Sequence, residues 1–154
     1  MVIGTGIDLA EIDRIEQALA ARHGARFRDR VYTAGEQKYC ESRGRGRAQS
    51  YAARFAAKEA VMKALGVGWG RHAAWHEIEV VRPRGAAPHL VLTGTAAETA
   101  RRLGIARWSL SLTHAANLAA AFVVAEDAGA GARLSAAARP SRDRAPSRPA
   151  APTS

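Results

Sequence analysis

Apolar and polar positions alternate in two rhythms along this chain, and the changes of rhythm outline a small domain. Residues 1–8 read as a short apolar strand with Asp8 at its end, after which Ile12, Ile15 and Leu19 recur at helical spacing. Gly24 is placed to stop that helix. Thr33 with Glu36 forms a capping-box signature for a short helix through Tyr39 and Glu41. Arg43-Gly44-Arg45-Gly46-Arg47 reads as a loop. A longer helix then runs from about 48 to 65, dominated by Ala, Leu, Met, Lys and Glu, with Gly66 placed to end it. Strands follow at about 76–82 and 89–93, joined by the turn-prone Pro83-Arg84-Gly85. Thr95 with Glu98 caps a further helix that stops at Gly104. Trp108, Leu110 and Leu112 alternate with Ser109, Ser111 and Thr113, as on a half-buried strand, and an apolar strand over 118–125 closes the domain. This mixed order is that of an α+β fold.

The patterning stops at about residue 127. Beyond it the chain is Ala, Gly, Ser, Pro and Arg, with Leu134 its only large apolar residue. Such a segment buries too little surface to offset its ordering entropy, so 128–154 is expected to be a disordered tail on a single domain over 1–127. The longest uninterrupted apolar run, 118–125, is too short to span a membrane. The N-terminus lacks the basic lead and cleavage signature of a secretory signal. One cysteine, Cys40, excludes an internal disulfide, reads as a packing residue and fits a reducing cytoplasm. The net charge is +9; five arginines and one aspartate in 128–154 contribute +4, leaving +5 for 1–127. The basic residues are spread along the chain, aromatics for base stacking are few, and no recognition motif appears, so nucleic acid is not the expected partner.

Chemistry concentrates in Arg54-Phe55-Ala56-Ala57-Lys58-Glu59-Ala60-Val61-Met62-Lys63-Ala64-Leu65-Gly66. The protein has three lysines against twenty arginines, and two of the three, Lys58 and Lys63, fall in this stretch. A compact ammonium rather than a forked guanidinium is therefore wanted here. Glu59 and Lys63 are an i, i+4 pair, which is either a solvated helix stabiliser or part of a site for a divalent cation and the phosphates it neutralises. Asp8, where strand gives way to helix, is either an N-cap or a ligand at the mouth of that site. Two carboxylates suit Mg²⁺, which takes few protein oxygens and keeps waters and substrate phosphates. The glycines at 66, 68 and 70 follow a helix rather than precede one, so they are not a P-loop and read as a C-cap and connector. His23, His72, His76 and His89 lack metal-ligand spacing and read as surface or structural groups.

Gly6-Ile7-Asp8, Arg14-Ile15, the stretch over 54–66 and Ser111-Leu112-Thr113-His114 occur in an order and spacing that resembles the 4′-phosphopantetheinyl transferase family, in its small bacterial holo-[acyl-carrier-protein] synthase branch. The resemblance covers roughly residues 2 to 126. It implies a mainly antiparallel sheet packed by helices. It also implies Mg²⁺-dependent transfer of phosphopantetheine from coenzyme A to a carrier-protein serine, releasing adenosine 3′,5′-bisphosphate. Asp8 and Glu59 would hold the metal and, with Lys63, form the catalytic set. Glu59 and a metal-bound water are both candidates for the base. Arg54, Lys58, Lys63, Gly66, Gly68 and His114 would contact the coenzyme. Arg14 matches the family's docking helix, and Arg22, Arg26 and Arg28 would join it in facing an acidic acyl carrier protein. The resemblance further implies a homotrimer with sites at subunit interfaces, acting in lipid biosynthesis. This chain departs from the pattern at Gly85-Ala86-Ala87-Pro88, where many relatives have a Gly-Lys-Pro turn, and at Ala115-Ala116-Asn117, where relatives often carry a charge.

Overall fold

The computed structural model describes residues 1–68 and 73–129. In chain order the elements are β1 (Val2–Glu11), α1 (Ile12–Ala20), α2 (Gly24–Val31), α3 (Ala34–Glu41), a 3₁₀ turn (Gly44–Gly46), α4 (Arg47–Ala64), a second 3₁₀ turn (Trp75–Glu77), β2 (Ile78–Val81), β3 (His89–Leu92), α5 (Gly94–Arg102), β4 (Arg107–Ala115) and β5 (Leu118–Glu126). The expected α+β architecture is present. Its strands form an antiparallel sheet in the order β1-β5-β4 and a separate antiparallel pair, β2-β3.

The motif helix α4 lies across the larger sheet because both surfaces are built from small residues. Ala56, Ala57, Ala60 and Ala64 meet Ala10, Ala119, Ala121 and Val123, all buried. Gly4 and Gly6 are needed for this approach, since a Cβ on either would collide with the carbonyl oxygen of Ala64 or Ala60. Strand alternation then places Asp8 on the same face of β1 as Gly4, Gly6 and Ala10. Larger side chains, including Tyr32, Tyr51 and Met62, fill the rest of the core; truncating one such as Met62 to Ala would cost about 2–5 kcal/mol. Cys40 is buried and unpaired, and burial pushes its thiol up to about 12, so it packs rather than reacts.

Several expected boundaries move. β1 continues through Glu11, so Asp8 lies inside a strand and caps no helix. The first helix ends at Ala20, and Gly24 opens α2 instead of closing α1. A Cβ at Gly24 would strike the Leu19 carbonyl, so the glycine serves the tight α1–α2 corner. Arg22 consequently stands beyond α1 and does not share a helical face with Arg14. The start of α5 is not capped by Glu98. Glu77, distant in sequence, accepts from the Thr95 backbone N–H at 3.0 Å, the Thr95 hydroxyl at 2.6 Å and the Ala96 N–H at 3.1 Å. The capping box at Thr33 and Glu36 forms as expected. Trp69, Gly70, Arg71, His72 and tail residues 130–154 lie outside the described residues. Among the described residues no helix is long and apolar enough to cross a membrane.

Candidate active site

β1 and α4 bring Asp8, Glu59 and Lys63 together. Lys63 donates to Asp8 Oδ1 at 2.8 Å and to the Ile7 carbonyl at 2.9 Å, while its side chain stays about half exposed. Glu59, one turn before Lys63, is half-buried; burial and then the Asp8 carboxylate raise its pKa above the usual range, and Lys63 opposes them. Two carboxylates close enough for one to disfavour ionisation of the other form a hard oxygen set that a divalent cation would relieve. Among the described residues no third Asp, Glu, His or Cys joins them. That donor set fits a metal such as Mg²⁺, which completes its coordination with water and substrate phosphate.

Gly66 has φ +68°, its N–H bonds the Lys63 carbonyl at 3.0 Å, and the Val67 N–H bonds the Met62 carbonyl at 3.0 Å. This is a Schellman end, so the C-cap reading of Gly66 is realised. Gly68 is exposed, with open space where a Cβ would stand.

Lys58 is not in this site. It is fully buried, with its ammonium on Glu36 Oε2 at 2.8 Å, on the Trp75 carbonyl at 2.8 Å and on the Ile78 carbonyl. Burial lowers its pKa and Glu36 pulls the other way. Its three donors are spent inside the protein, so the expected role as a coenzyme ligand is corrected to that of a core cation. Arg54 is also buried. Its guanidinium lies 4.0 Å from the Tyr39 ring centroid, one N–H reaches the Ser50 carbonyl at 3.2 Å, and Nε has no hydrogen-bond partner.

His114 sits elsewhere. With Tyr39, Arg43, Ser50, Arg82 and Thr113 it lines a cleft of about 210 Å³ that no member of the Asp8–Glu59–Lys63 trio touches. Ser50 and Glu59 are separated by about two and a half helical turns and so face opposite sides of α4. Residue spacing gave no signal for Tyr39, Arg43 or Arg82; only the fold collects them.

A groove of about 360 Å³ lies on the trio's side, lined by Leu9, Glu11, Arg14, Ile15, Phe27 and Phe55. Arg14 thus borders this groove. A second apolar hollow continues past Phe27 and Phe55 to Val31, Trp75 and Arg30. Arg22, Arg26 and Arg28 line neither. Arg28 instead lies 3.6 Å from Asp29.

A family model for the 4′-phosphopantetheinyl transferase superfamily matches residues 4–123. The chain is 47% identical over 127 residues to a holo-[acyl-carrier-protein] synthase of Solibacter usitatus, covering 82% of this chain and all of that one. Its fold is similar to that of the Neisseria meningitidis holo-[acyl-carrier-protein] synthase crystal structure, with TM-score 0.74 and 30% identity over 82% of this chain and 100% of the other. It is similar also to the Helicobacter pylori holo-[acyl-carrier-protein] synthase in complex with coenzyme A, with TM-score 0.69 and 32% identity over 79% and 99% of the two chains. The match spans both β1 and α4, the elements that converge at Asp8, Glu59 and Lys63, and the chain belongs to the 4′-phosphopantetheinyl transferase superfamily, in its holo-[acyl-carrier-protein] synthase branch.

Proposed function

We propose that this enzyme transfers the 4′-phosphopantetheine group of coenzyme A to a serine hydroxyl of an apo acyl carrier protein, in a Mg²⁺-dependent reaction that releases adenosine 3′,5′-bisphosphate. The observation that carries this reading is the convergence of Asp8, Glu59 and Lys63 within the family's fold. Phosphoryl transfer is chiefly a matter of positioning and charge neutralisation. Asp8 and Glu59 would hold Mg²⁺, which when bound neutralises the pyrophosphate and the departing nucleotide. Lys63, already poised on a mobile four-carbon stem, leaves Asp8 to pair with phosphate oxygen. Glu59 and a water held by the metal are the two groups placed to accept the serine proton. Gly66 and Gly68 keep side chains away from the end of α4, where the coenzyme backbone approaches. His114, Arg43 and Arg82 offer cationic and donor groups to the coenzyme's nucleotide end.

A single chain holds the trio and the His114 cleft on opposite sides of α4, so an oligomer with composite sites, a homotrimer, accompanies the reading. Its support is the sheet face turned away from α4, where Ile3, Ile7, Leu9, Leu118 and Phe122 are each more than two-fifths exposed. Ile7 and Phe122 are cross-strand neighbours there. The catalytic domain is taken as 1–127, working in a reducing cytoplasm where Cys40 stays a thiol. The carrier docks on Arg14 and its groove through an acidic helix. Incubation with coenzyme A, Mg²⁺ and apo carrier, followed by mass spectrometry, tests the assignment: a phosphopantetheine adduct on the carrier supports it. Its absence with folded enzyme and several carriers rejects it.

A further inference from the structure

Lys58 and Glu36 form an ion pair whose side chains are both fully buried. Its geometry does more than cancel charge. Glu36 Oε2 also accepts from the Thr33 N–H at 3.0 Å, and Oε1 accepts from the Val80 N–H at 2.9 Å. The ammonium in turn holds the Trp75 and Ile78 carbonyls. One pair thus ties the start of α3, the 3₁₀ turn and β2 to the middle of α4. Burying such a pair is costly, and apolar residues of equal volume often do as well for stability. Directional bonds to specified carbonyls are what those replacements would not supply.

One carbonyl that Lys58 grips belongs to a partly buried residue that also lines a surface hollow. The Trp75 ring stacks on Phe55, with centroids 4.9 Å apart and planes at 29°. Phe55 stands one turn before Glu59 on α4 and borders both the Arg14 groove and the hollow that contains Trp75. We propose that Lys58 is a positioning residue for carrier recognition: through Trp75 and Phe55 it fixes the apolar wall beside Glu59 against which the carrier's target serine is presented. This rests on the carrier-docking reading above and adds to it a buried control of that surface. Basic Arg14 beside the wall suits a partner segment that is acidic outside and apolar where it meets the phenylalanines.

The test uses the full chain with an apo acyl carrier protein. Lys58→Met/Glu36→Gln removes the charges together and keeps the volumes. It should raise the carrier's Michaelis constant about ten-fold, the scale of one lost anchoring contact, while that for coenzyme A stays within about two-fold. Trp75→Ala, which leaves the ion pair intact, should do the same, and combining all three changes should add little, because both act on one wall. Full additivity, or a carrier constant unmoved in the Trp75 variant, overturns the proposal. Should the paired variant fail to fold, carrier titration by calorimetry with Trp75→Ala and Trp75→Phe decides: weaker binding for Ala with recovery by Phe supports the wall, and equal binding by all three proteins sinks it. Loss of transfer by the unmodified enzyme would instead reject the proposed function.

Discussion

The inner face of α4 around Lys58 and its outer edge around Lys63 carry the same side-chain chemistry in opposite surroundings. Lys58 is shut away with an anionic partner and two carbonyls; Lys63 leans over the edge of β1 onto Asp8 and remains half exposed. The first ammonium cannot leave without stranding a buried carboxylate. The second can be drawn away by a better anion at little cost, which is what a phosphate ligand requires. Burial, rather than residue type or motif membership, separates the cation locked in the core from the one left open to a ligand.

Removing each lysine in turn should separate the two. Lys58→Met alone should lower unfolding stability by about 3–5 kcal/mol, because Glu36 is left buried and unpaired. Lys63→Met should cost distinctly less than that, because Lys63 is half exposed, although its partner Asp8 is mostly buried. Urea denaturation of both variants gives the answer, and equal losses would erase the distinction. In transfer assays Lys63→Met, if folded normally, should still fall well below the parent at saturating carrier.

Next in size is Glu59→Gln, which should slow transfer about 10²–10³-fold, the scale for losing one preorganised charge at a reacting centre. Its thermal stability should hold or rise slightly, since burial and Asp8 disfavour the charge being removed. A matching pH effect follows. Glu59's folded pKa lies above its unfolded value, so the folded state is the tighter proton binder. Glu59's contribution to stability without metal therefore grows as pH falls through the folded pKa. Cation binding needs the ionised carboxylate, so Mg²⁺ affinity should fall over that same interval and binding should release a proton. Calorimetry in buffers of different ionisation heat measures that proton, and Glu59→Gln should abolish it.

Much of the fold was legible in the chain itself. The alternation over 108–113, the Thr33–Glu36 box and the long Ala-rich helix all depend on local spacing, and each formed as read. What was missed depends on contacts between distant residues. Gly24 looks like a helix stop from either side, and only the Leu19 carbonyl above it reveals a corner. Glu77 caps α5 from the far side of the β2–β3 pair, with no local motif to announce it. Lys58 and Lys63 fall in the same motif, and spacing alone does not say which one meets Glu36. The Tyr39–Arg82–His114 cleft gathers α3, the end of β2 and β4, a convergence visible only once the strands are in register.

A smaller effect is expected at the docking surface. Arg14→Glu should raise the carrier's Michaelis constant several-fold at low salt and flatten its dependence on ionic strength, with that for coenzyme A little changed. Arg22→Glu should do less, because Arg22 stands beyond the end of α1 and outside the groove. Steady-state kinetics across a salt series would show whether the gradient between these two arginines exists.

The claim that Asp8 and Glu59 are the cation's ligands is tested most directly by the Mg²⁺ dependence of single-turnover transfer in the parent, Asp8→Asn and Glu59→Gln. Both variants should need far more Mg²⁺ for half-maximal rate, and excess metal should partly restore them. An unchanged half-maximal Mg²⁺ concentration in both, whatever happens to the maximal rate, would contradict that claim.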